Sequence, residues 1–148
     1  MAGNLGIAIL TGILATISDT SSALSTQNPS FSITTKFIAC VRSTKSSKRI
    51  EETVAPYSNY PVKILRGQNP EAVRAADVVI LGCKPWMLKD VLGEPGIIEA
   101  LSGKLLISIL AGVPEEQIHE ALYLRQPAIG REARIVRVLP NKIGRAHV

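Results

Sequence analysis

Residues 69–83 read NPEAVRAADVVILGC, and this stretch decides the fold class. Its first half predicts a short helix, because Asn-Pro-Glu combines a helix-capping residue with a proline in the first turn. Its second half, residues 77–83 (DVVILGC), is a continuous apolar run, which predicts a strand buried on both faces of a parallel sheet. A helix that leads directly into such a strand is the repeating unit of an α/β fold.

The same alternation continues on both sides of this stretch. Further strands are predicted at 36–41, 62–65, 104–110 and 134–139, with helices at 6–22, 46–55, 86–92, 97–101 and 114–122 and a polar loop at 21–35. Strands that alternate with helices favour a doubly wound parallel sheet, in which ligands bind at the carboxyl ends of the strands.

The composition indicates a globular protein and argues against two classes of partner. The 148 residues are 46% hydrophobic and 20% charged, which suits one domain with a sizeable core. The net charge is +5, but no aromatic residues interleave with the basic cluster Arg42, Lys45, Lys48 and Arg49, so no nucleic-acid partner is expected. The apolar run 5–17 is too short to span a bilayer, so no membrane partner is expected. The predicted helix at 6–22 is apolar nearly all round and is therefore expected to be buried.

The two cysteines, Cys40 and Cys83, each lie in an apolar run. This placement favours buried thiols over a disulfide framework or a metal cluster. His119 lies among charged residues of a predicted helix and is expected to be solvated. Trp86, at the start of a predicted helix, is expected to be a packing anchor rather than a stacking platform.

Two short motifs point to a phosphorylated ligand. Gly3 and Gly6 fit the second and third glycines of a G-x-G-x-x-G dinucleotide fingerprint, whose first glycine falls on Met1. The predicted strand at 36–41 is followed by Arg42 and Ser43, where an NAD enzyme has an acidic residue, and a guanidinium there suits the 2′-phosphate of NADP. The alternatives are packing glycines at a helix start and a solvated basic turn.

Five motifs together resemble the pyrroline-5-carboxylate reductase family. They are Gly3-Asn4-Leu5-Gly6, Val41-Arg42-Ser43, Gly82-Cys83-Lys84-Pro85, Ser108-Ile109-Leu110-Ala111-Gly112-Val113 and Arg137-Val138-Leu139-Pro140-Asn141. They occur in the order and spacing of that family and cover nearly all of residues 2–141. The resemblance implies an enzyme of proline biosynthesis that reduces 1-pyrroline-5-carboxylate to L-proline, usually with NADPH.

The resemblance also implies a role for each motif in holding NADP(H), while no catalytic residue and no metal ligand is assigned. The implied cofactor contacts are Gly3, Asn4, Leu5 and Gly6 at the pyrophosphate, Arg42 and Ser43 at the 2′-phosphate, Cys83, Lys84 and Pro85 at the nicotinamide ribose, Ala111 and Gly112 beside the nicotinamide, and Asn141, next to Pro140, at the far edge of the pocket. The substrate that the resemblance implies is a small imino acid.

The chain departs from the family pattern at both ends. Residues 1–141 are expected to form a partial dinucleotide-binding domain that lacks the first, central strand, which would split the sheet into a two-strand piece and a three-strand piece with unpaired apolar edges. The helical domain that follows in the family, and forms its homo-oligomer, is expected to be absent. Residues 142–148 are expected to be a non-native tail.

Because of these departures, the sequence allows more than one interpretation of its function. The chain is expected to be the cofactor-binding portion of a pyrroline-5-carboxylate reductase, inactive by itself and cytoplasmic, with mitochondria as the alternative. It could instead be a non-catalytic dinucleotide-binding remnant, or an NADP-dependent reductase of another imine or carbonyl compound.

Overall fold

The computed structural model of the chain describes residues 4–27 and 36–139, with side chains described for 6–20 and 36–139. It divides into two compact units, a first unit at Ala2–Gln68 and a second unit at Asn69–Val148. Each unit contains its own parallel sheet and its own hydrophobic core. Within the described ranges, no helix is both long and apolar enough to cross a membrane.

The described residues of the first unit form two helices, a 3-10 turn and a two-stranded sheet. In chain order its elements are helix α1 (Asn4–Gln27), strand β1 (Phe37–Val41), helix α2 (Thr44–Val54), the 3-10 turn (Ala55–Tyr57) and strand β2 (Val62–Arg66). The strands run parallel, with Phe37 opposite Val62 and Val41 opposite Arg66. Ile7, Ala39, Val41 and Ile50 form the buried core between the helices and this sheet.

Helix α1 is longer and less buried than the sequence predicts. It continues to Gln27, so the first part of the predicted loop is helical, and residues 28–35 lie outside the described ranges. Among its described side chains, Ile7 and Leu14 are buried, whereas the others are half-buried or exposed. The prediction that the helix is buried all round is therefore wrong for the first unit, because a two-stranded sheet is too narrow to cover it.

The second unit is built on a three-stranded parallel sheet in the order β3-β4-β5. Its elements are helix α3 (Asn69–Ala75), strand β3 (Val78–Leu81), a 3-10 turn (Pro85–Met87), helices α4 (Leu88–Leu92) and α5 (Ile97–Ala100), strand β4 (Leu105–Ser108), helix α6 (Glu115–Tyr123) and strand β5 (Arg134–Arg137). The helices connect successive parallel strands, as the alternation in the sequence predicts.

The core of the second unit lies between one face of the sheet and the connecting helices. Val79, Leu106 and Ile135 are aligned across the three strands and pack in one cluster with Leu88 and Ile118. Helices α4 and α6 contact each other on this face, as two successive crossovers of the same hand require.

The opposite face of this sheet, called the open face below, has the apolar residues Val78, Ile80, Leu105, Ile107 and Val136, with Arg134 at the start of its outermost strand β5. Val78 is 50% exposed and Val136 is 45% exposed, and the other three side chains are half-buried. The prediction that residues 77–83 are buried on both faces is therefore wrong within the second unit, because its helices cover one face.

The predicted fold class, an α/β doubly wound (Rossmann-like) fold, is confirmed, and so is the division into a two-strand and a three-strand piece. Within the described residues, β1 and β3 each pair on one side. Their sequences, FIACV and VVIL, contain no charged residue. Strands β2 and β5 each contain two basic residues, as edge strands often do. By composition, β1 and β3 are thus typical of interior strands.

Lys104 closes the carboxyl end of helix α3. Its Nζ donates to the carbonyl oxygens of Val73 at 2.6 Å and Arg74 at 2.9 Å. Burial lowers the pKa of Lys104, and the nearby Asp77 carboxylate acts in the opposite direction. An ammonium group at this position satisfies helix carbonyls that have no partner in the helix and opposes the negative end of its dipole.

Replacing Lys104 by methionine is expected to lower the free energy of unfolding by about 1–2 kcal/mol, because the two carbonyls lose a charged donor. Urea unfolding followed by circular dichroism measures this loss. Lys89→Met is the matched control, since Lys89 is exposed on α4 and its replacement is expected to change stability by less than about 0.5 kcal/mol. Equal losses in the two variants would contradict the capping role.

Candidate cofactor-binding site

The end of strand β1 presents a basic and hydroxyl-rich turn. Arg42 and Ser43 follow the strand directly, and both are exposed. Ser43 is the N-cap of α2: its Oγ accepts from the Ser46 backbone N–H at 3.2 Å and donates to the Ser46 Oγ at 3.0 Å. The turn thus brings a guanidinium beside the start of a helix, where backbone N–H groups favour anions.

Arg66 belongs to the same edge and was missed by the sequence reasoning. The parallel register places it opposite Val41, at the carboxyl end of β2, and its guanidinium donates to the Thr44 Oγ1. The sequence signal that could have found it is that Arg66 follows the predicted strand 62–65 directly, as Arg42 follows the strand 36–41, because neighbouring parallel strands present these positions on one edge. The first unit therefore has Arg42 and Arg66 at the edge where the 2′-phosphate contacts were predicted.

The predicted pyrophosphate contacts are only partly within the described residues. Helix α1 begins at Asn4, so Leu5 and Gly6 are in its first turn, as a fingerprint of this kind requires. Gly3 lies outside the described residues, and so do the side chains of Asn4 and Leu5. Their contact with a pyrophosphate stays a prediction.

The second unit brings two further predicted segments to one edge of its sheet. Lys84 and Pro85 follow β3, Ala111 and Gly112 follow β4, and all four are exposed. Because β3 and β4 are adjacent and parallel, both loops leave the sheet at its carboxyl edge. Asn141, the last predicted cofactor contact, lies outside the described residues.

The turn at Gly112 has the geometry of a backbone surface that a ligand can approach. Gly112 has φ +71°, which disfavours any residue with a Cβ, and no atom lies within 4 Å of the position a Cβ would take. The neighbouring Val113 is buried at 2% exposure and fixes the turn to the core. An anchored turn with open space beside it suits a planar ligand that rests against the backbone.

Cys83 lies half-buried at the end of β3, next to this edge. Burial raises the pKa of its thiol above 9.0, and a backbone hydrogen bond acts in the opposite direction. The side chain is therefore a neutral thiol at neutral pH. This state suits an uncharged wall of the site better than a nucleophile.

The alkylation of Cys83 by iodoacetamide is expected to reach half its maximal rate above pH 9.0, the ordinary value for the thiol. The folded state favours the neutral form of the Cys83 thiol, so its contribution to the free energy of unfolding is fully present below pH 9.0. That contribution is lost as the pH rises through the pKa that the thiol has in the folded chain. Peptide mapping by mass spectrometry follows Cys83 separately from Cys40, and the urea-unfolded chain is the control. A half-maximal rate below pH 9.0 in the folded chain would contradict the burial effect.

The predictions for Trp86 and His119 have different outcomes. Trp86 is 78% exposed in the 3-10 turn after β3, so the prediction of a packing anchor is wrong. His119 is exposed on α6, as predicted, and its Nε2 lies 3.0 Å from the Glu132 carboxylate. No group of three side chains that could hold a metal ion occurs in the part of the chain that the structure describes.

Each unit presents residues that suit a part of a phosphorylated dinucleotide. The first unit offers guanidinium donors at the edge of its sheet, which match the geometry of a phosphate group. The second unit offers an exposed glycine turn and the Lys84 ammonium at the corresponding edge of its own sheet. Parallel strands with such loops at their carboxyl ends are typical of a nucleotide-binding α/β domain.

The chain belongs to the family described as NADP oxidoreductase, coenzyme F420-dependent, whose sequence profile matches residues 2–112. The matched range includes β1 to β4 and the loops that follow them.

The resemblance predicted from the five motifs is also confirmed. The chain is 47% identical over 94% of its length to a pyrroline-5-carboxylate reductase of Lophium arboricola, and 37% identical over 95% to a Delta-1-pyrroline-5-carboxylate reductase of Curvularia clavata. It is 32% identical over 97% to a pyrroline-5-carboxylate reductase of Schizosaccharomyces pombe. The matched regions are 45%, 42% and 46% of these relatives, so the chain spans less than half of their length. No solved structure matches the chain.

Proposed function

We propose that this chain is the cofactor-binding portion of an NADPH-dependent reductase that converts 1-pyrroline-5-carboxylate to L-proline. The observation that carries the proposal is the 47% identity, over 94% of the chain, to a protein named pyrroline-5-carboxylate reductase. Residues 1–141 are the dinucleotide-binding part in this proposal. The imino-acid site and the homo-oligomer interface belong to the part of the relatives that the chain does not match.

The preference for NADPH over NADH rests on the edge of the first unit. Arg42 and Arg66 supply guanidinium groups, and Ser43 supplies a hydroxyl group. No acidic residue occurs in 42–50, so this edge lacks a carboxylate that would repel a 2′-phosphate or bind the ribose hydroxyls of NAD. In the proposal, Arg42 and Arg66 hold the 2′-phosphate, and the hydroxyl of Ser43 donates to it in place of the Ser46 Oγ.

The second unit orients the reacting half of the cofactor. NADPH, when bound, supplies the hydride for the C=N bond of the substrate. Lys84 offers an ammonium to the ribose or pyrophosphate oxygens, and the turn at Ala111 and Gly112 supports the nicotinamide without a side chain in its way. The neutral thiol of Cys83 keeps the wall of the site uncharged.

The proposal is tested by calorimetric titration of the 148-residue chain with NADPH and NADH. Saturable binding with a clear preference for NADPH is expected. Formation of proline from 1-pyrroline-5-carboxylate is expected of a protein that also contains the unmatched part of the relatives, and not of this chain alone. Failure to bind either dinucleotide would contradict the proposal, and so would proline formation by the chain alone.

A second candidate is an NADP-dependent reductase of another imine or carbonyl compound. The description of the matched family supports this candidate, because it specifies NADP and coenzyme F420 but no imine or carbonyl substrate. Turnover of cyclic imines and ketones by the longer protein separates the candidates: a higher kcat/KM for 1-pyrroline-5-carboxylate supports the first, and a higher value for a different compound supports the second.

A further inference from the structure

Trp86 is the only tryptophan of the chain, and its exposure is unusual for this residue type. The indole is 78% exposed, more than any other large apolar side chain reported as exposed in the described residues. Tryptophan is highly buried on average in folded proteins. An indole that stays in water does not contribute the favourable free energy that burial of its large apolar surface would give. The side chain therefore contributes little to the core, and a role on the surface of the second unit accounts for it better.

The position of Trp86 connects it to the candidate site. It lies in the 3-10 turn Pro85–Met87, whose first residue follows Lys84 at the end of β3. The backbone N–H of Met87 donates to the Lys84 carbonyl at 2.9 Å, and Leu88, just after the turn, is 1% exposed. The turn is thus held at both ends. It follows the carboxyl end of β3, as the open turn at Gly112 follows the carboxyl end of the adjacent strand β4.

We propose that the indole of Trp86 stacks on the nicotinamide ring of the bound dinucleotide. This inference rests on the proposed function and adds to it a positioning residue for the nicotinamide half. A doubly wound fold consists of two mononucleotide-binding halves. In this chain the predicted 2′-phosphate contacts follow the strands of the first unit, and the strands of the second unit come later in the sequence. The proposed function assigns the adenosine 2′-phosphate to the first unit and so leaves the nicotinamide mononucleotide for the second unit. An indole face binds a planar heteroaromatic ring by stacking.

Fluorescence tests the contact, because selective excitation of tryptophan reports on Trp86 alone. The oxidised cofactor NADP⁺ is the suitable ligand, since its nicotinamide does not absorb where indole emits and quenching then requires contact. Saturable quenching by NADP⁺ and by nicotinamide mononucleotide is expected, and none by adenosine 2′,5′-bisphosphate. Quenching by the bisphosphate and not by the mononucleotide would overturn the assignment to the nicotinamide.

Substitutions of Trp86 test the stacking inference separately from the proposed function. Trp86→Ala is expected to weaken NADP⁺ binding about tenfold while leaving the affinity for adenosine 2′,5′-bisphosphate unchanged, and Trp86→Phe to retain part of the affinity. Leu124→Ala is the matched control, because Leu124 is 76% exposed just beyond the carboxyl end of α6, and no change is expected there. If NADP⁺ binds by calorimetry but neither emission nor the Trp86→Ala affinity changes, the stacking inference fails and the proposed function stands. If NADP⁺ does not bind, both fail.

Discussion

Replacing Arg42 by glutamate is expected to lower the affinity for NADPH by about 100-fold and to leave the affinity for NADH unchanged or slightly higher. The guanidinium in the proposed complex makes charge-assisted hydrogen bonds to the 2′-phosphate, each about 1.5–3 kcal/mol. A carboxylate in its place removes these bonds and repels the phosphate. The same carboxylate can accept from the ribose 2′-hydroxyl of NADH. Calorimetric titration of both cofactors measures the ratio of the two affinities.

Two further variants test whether the loss of NADPH affinity is specific to residues at the carboxyl edge of the sheet in the first unit. Lys48→Glu makes the same change of charge one turn into α2, where the side chain is also exposed, and is expected to weaken NADPH binding by less than about threefold. Arg66→Gln is expected to weaken NADPH binding by about tenfold, since it removes the second guanidinium without adding a negative charge. If Arg42→Glu weakens NADH as much as NADPH, Arg42 does not contact the 2′-phosphate.

The order of strands and helices could be predicted because apolar runs and capping residues are local signals. Residues 77–83 and 104–110 were both predicted as strands, and the structure has the shorter strands Val78–Leu81 and Leu105–Ser108. The ends differ because an apolar run continues past the last residue that pairs with a neighbouring strand. Leu110 illustrates this difference, since it lies beyond β4 and is nevertheless 4% exposed.

Burial was predicted less well than secondary structure, because the sequence does not say which surfaces have a partner. Val78 belongs to the same apolar run as Leu81, yet the first is 50% exposed and the second is fully buried. The difference arises from the helices of the second unit, which cover one face of its sheet. Helix α1 differs from its prediction for a similar reason, since the two-stranded sheet of its unit covers few of its side chains.

The candidate site shows the same division between local and non-local signals. Arg42 and Ser43 could be identified because they follow a predicted strand directly. Arg66 lies far from them in the sequence, and the register of β1 with β2 is what places it on their edge. The exposure of Trp86 was predicted wrongly, because a tryptophan at a helix start is usually a packing residue and no local pattern marks the exception.

Replacing Leu106 by alanine is expected to lower the free energy of unfolding of the second unit by about 3 kcal/mol. Leu106 is fully buried on the middle strand β4, between Val79 and Ile135 in the register. Removing a buried leucine side chain costs roughly 2–5 kcal/mol, since the lost contacts leave a cavity that neighbours fill only partly. Against a domain stability of about 5–15 kcal/mol, the loss shifts the urea midpoint far enough to measure by circular dichroism.

Leu105→Ala is the matched control, because it makes the same substitution on the same strand with the side chain on the open face. Leu105 is half-buried, so the expected loss is about 1 kcal/mol, in proportion to the smaller apolar area that it removes from water. The ratio of the two losses measures how strongly the open face is packed in solution. Equal losses would mean that the open face is covered as completely as the face that packs on α4 and α6, which contradicts the burial observed for Val78 and Val136. A threefold difference would instead show that the helices of this unit stabilise one side of its sheet.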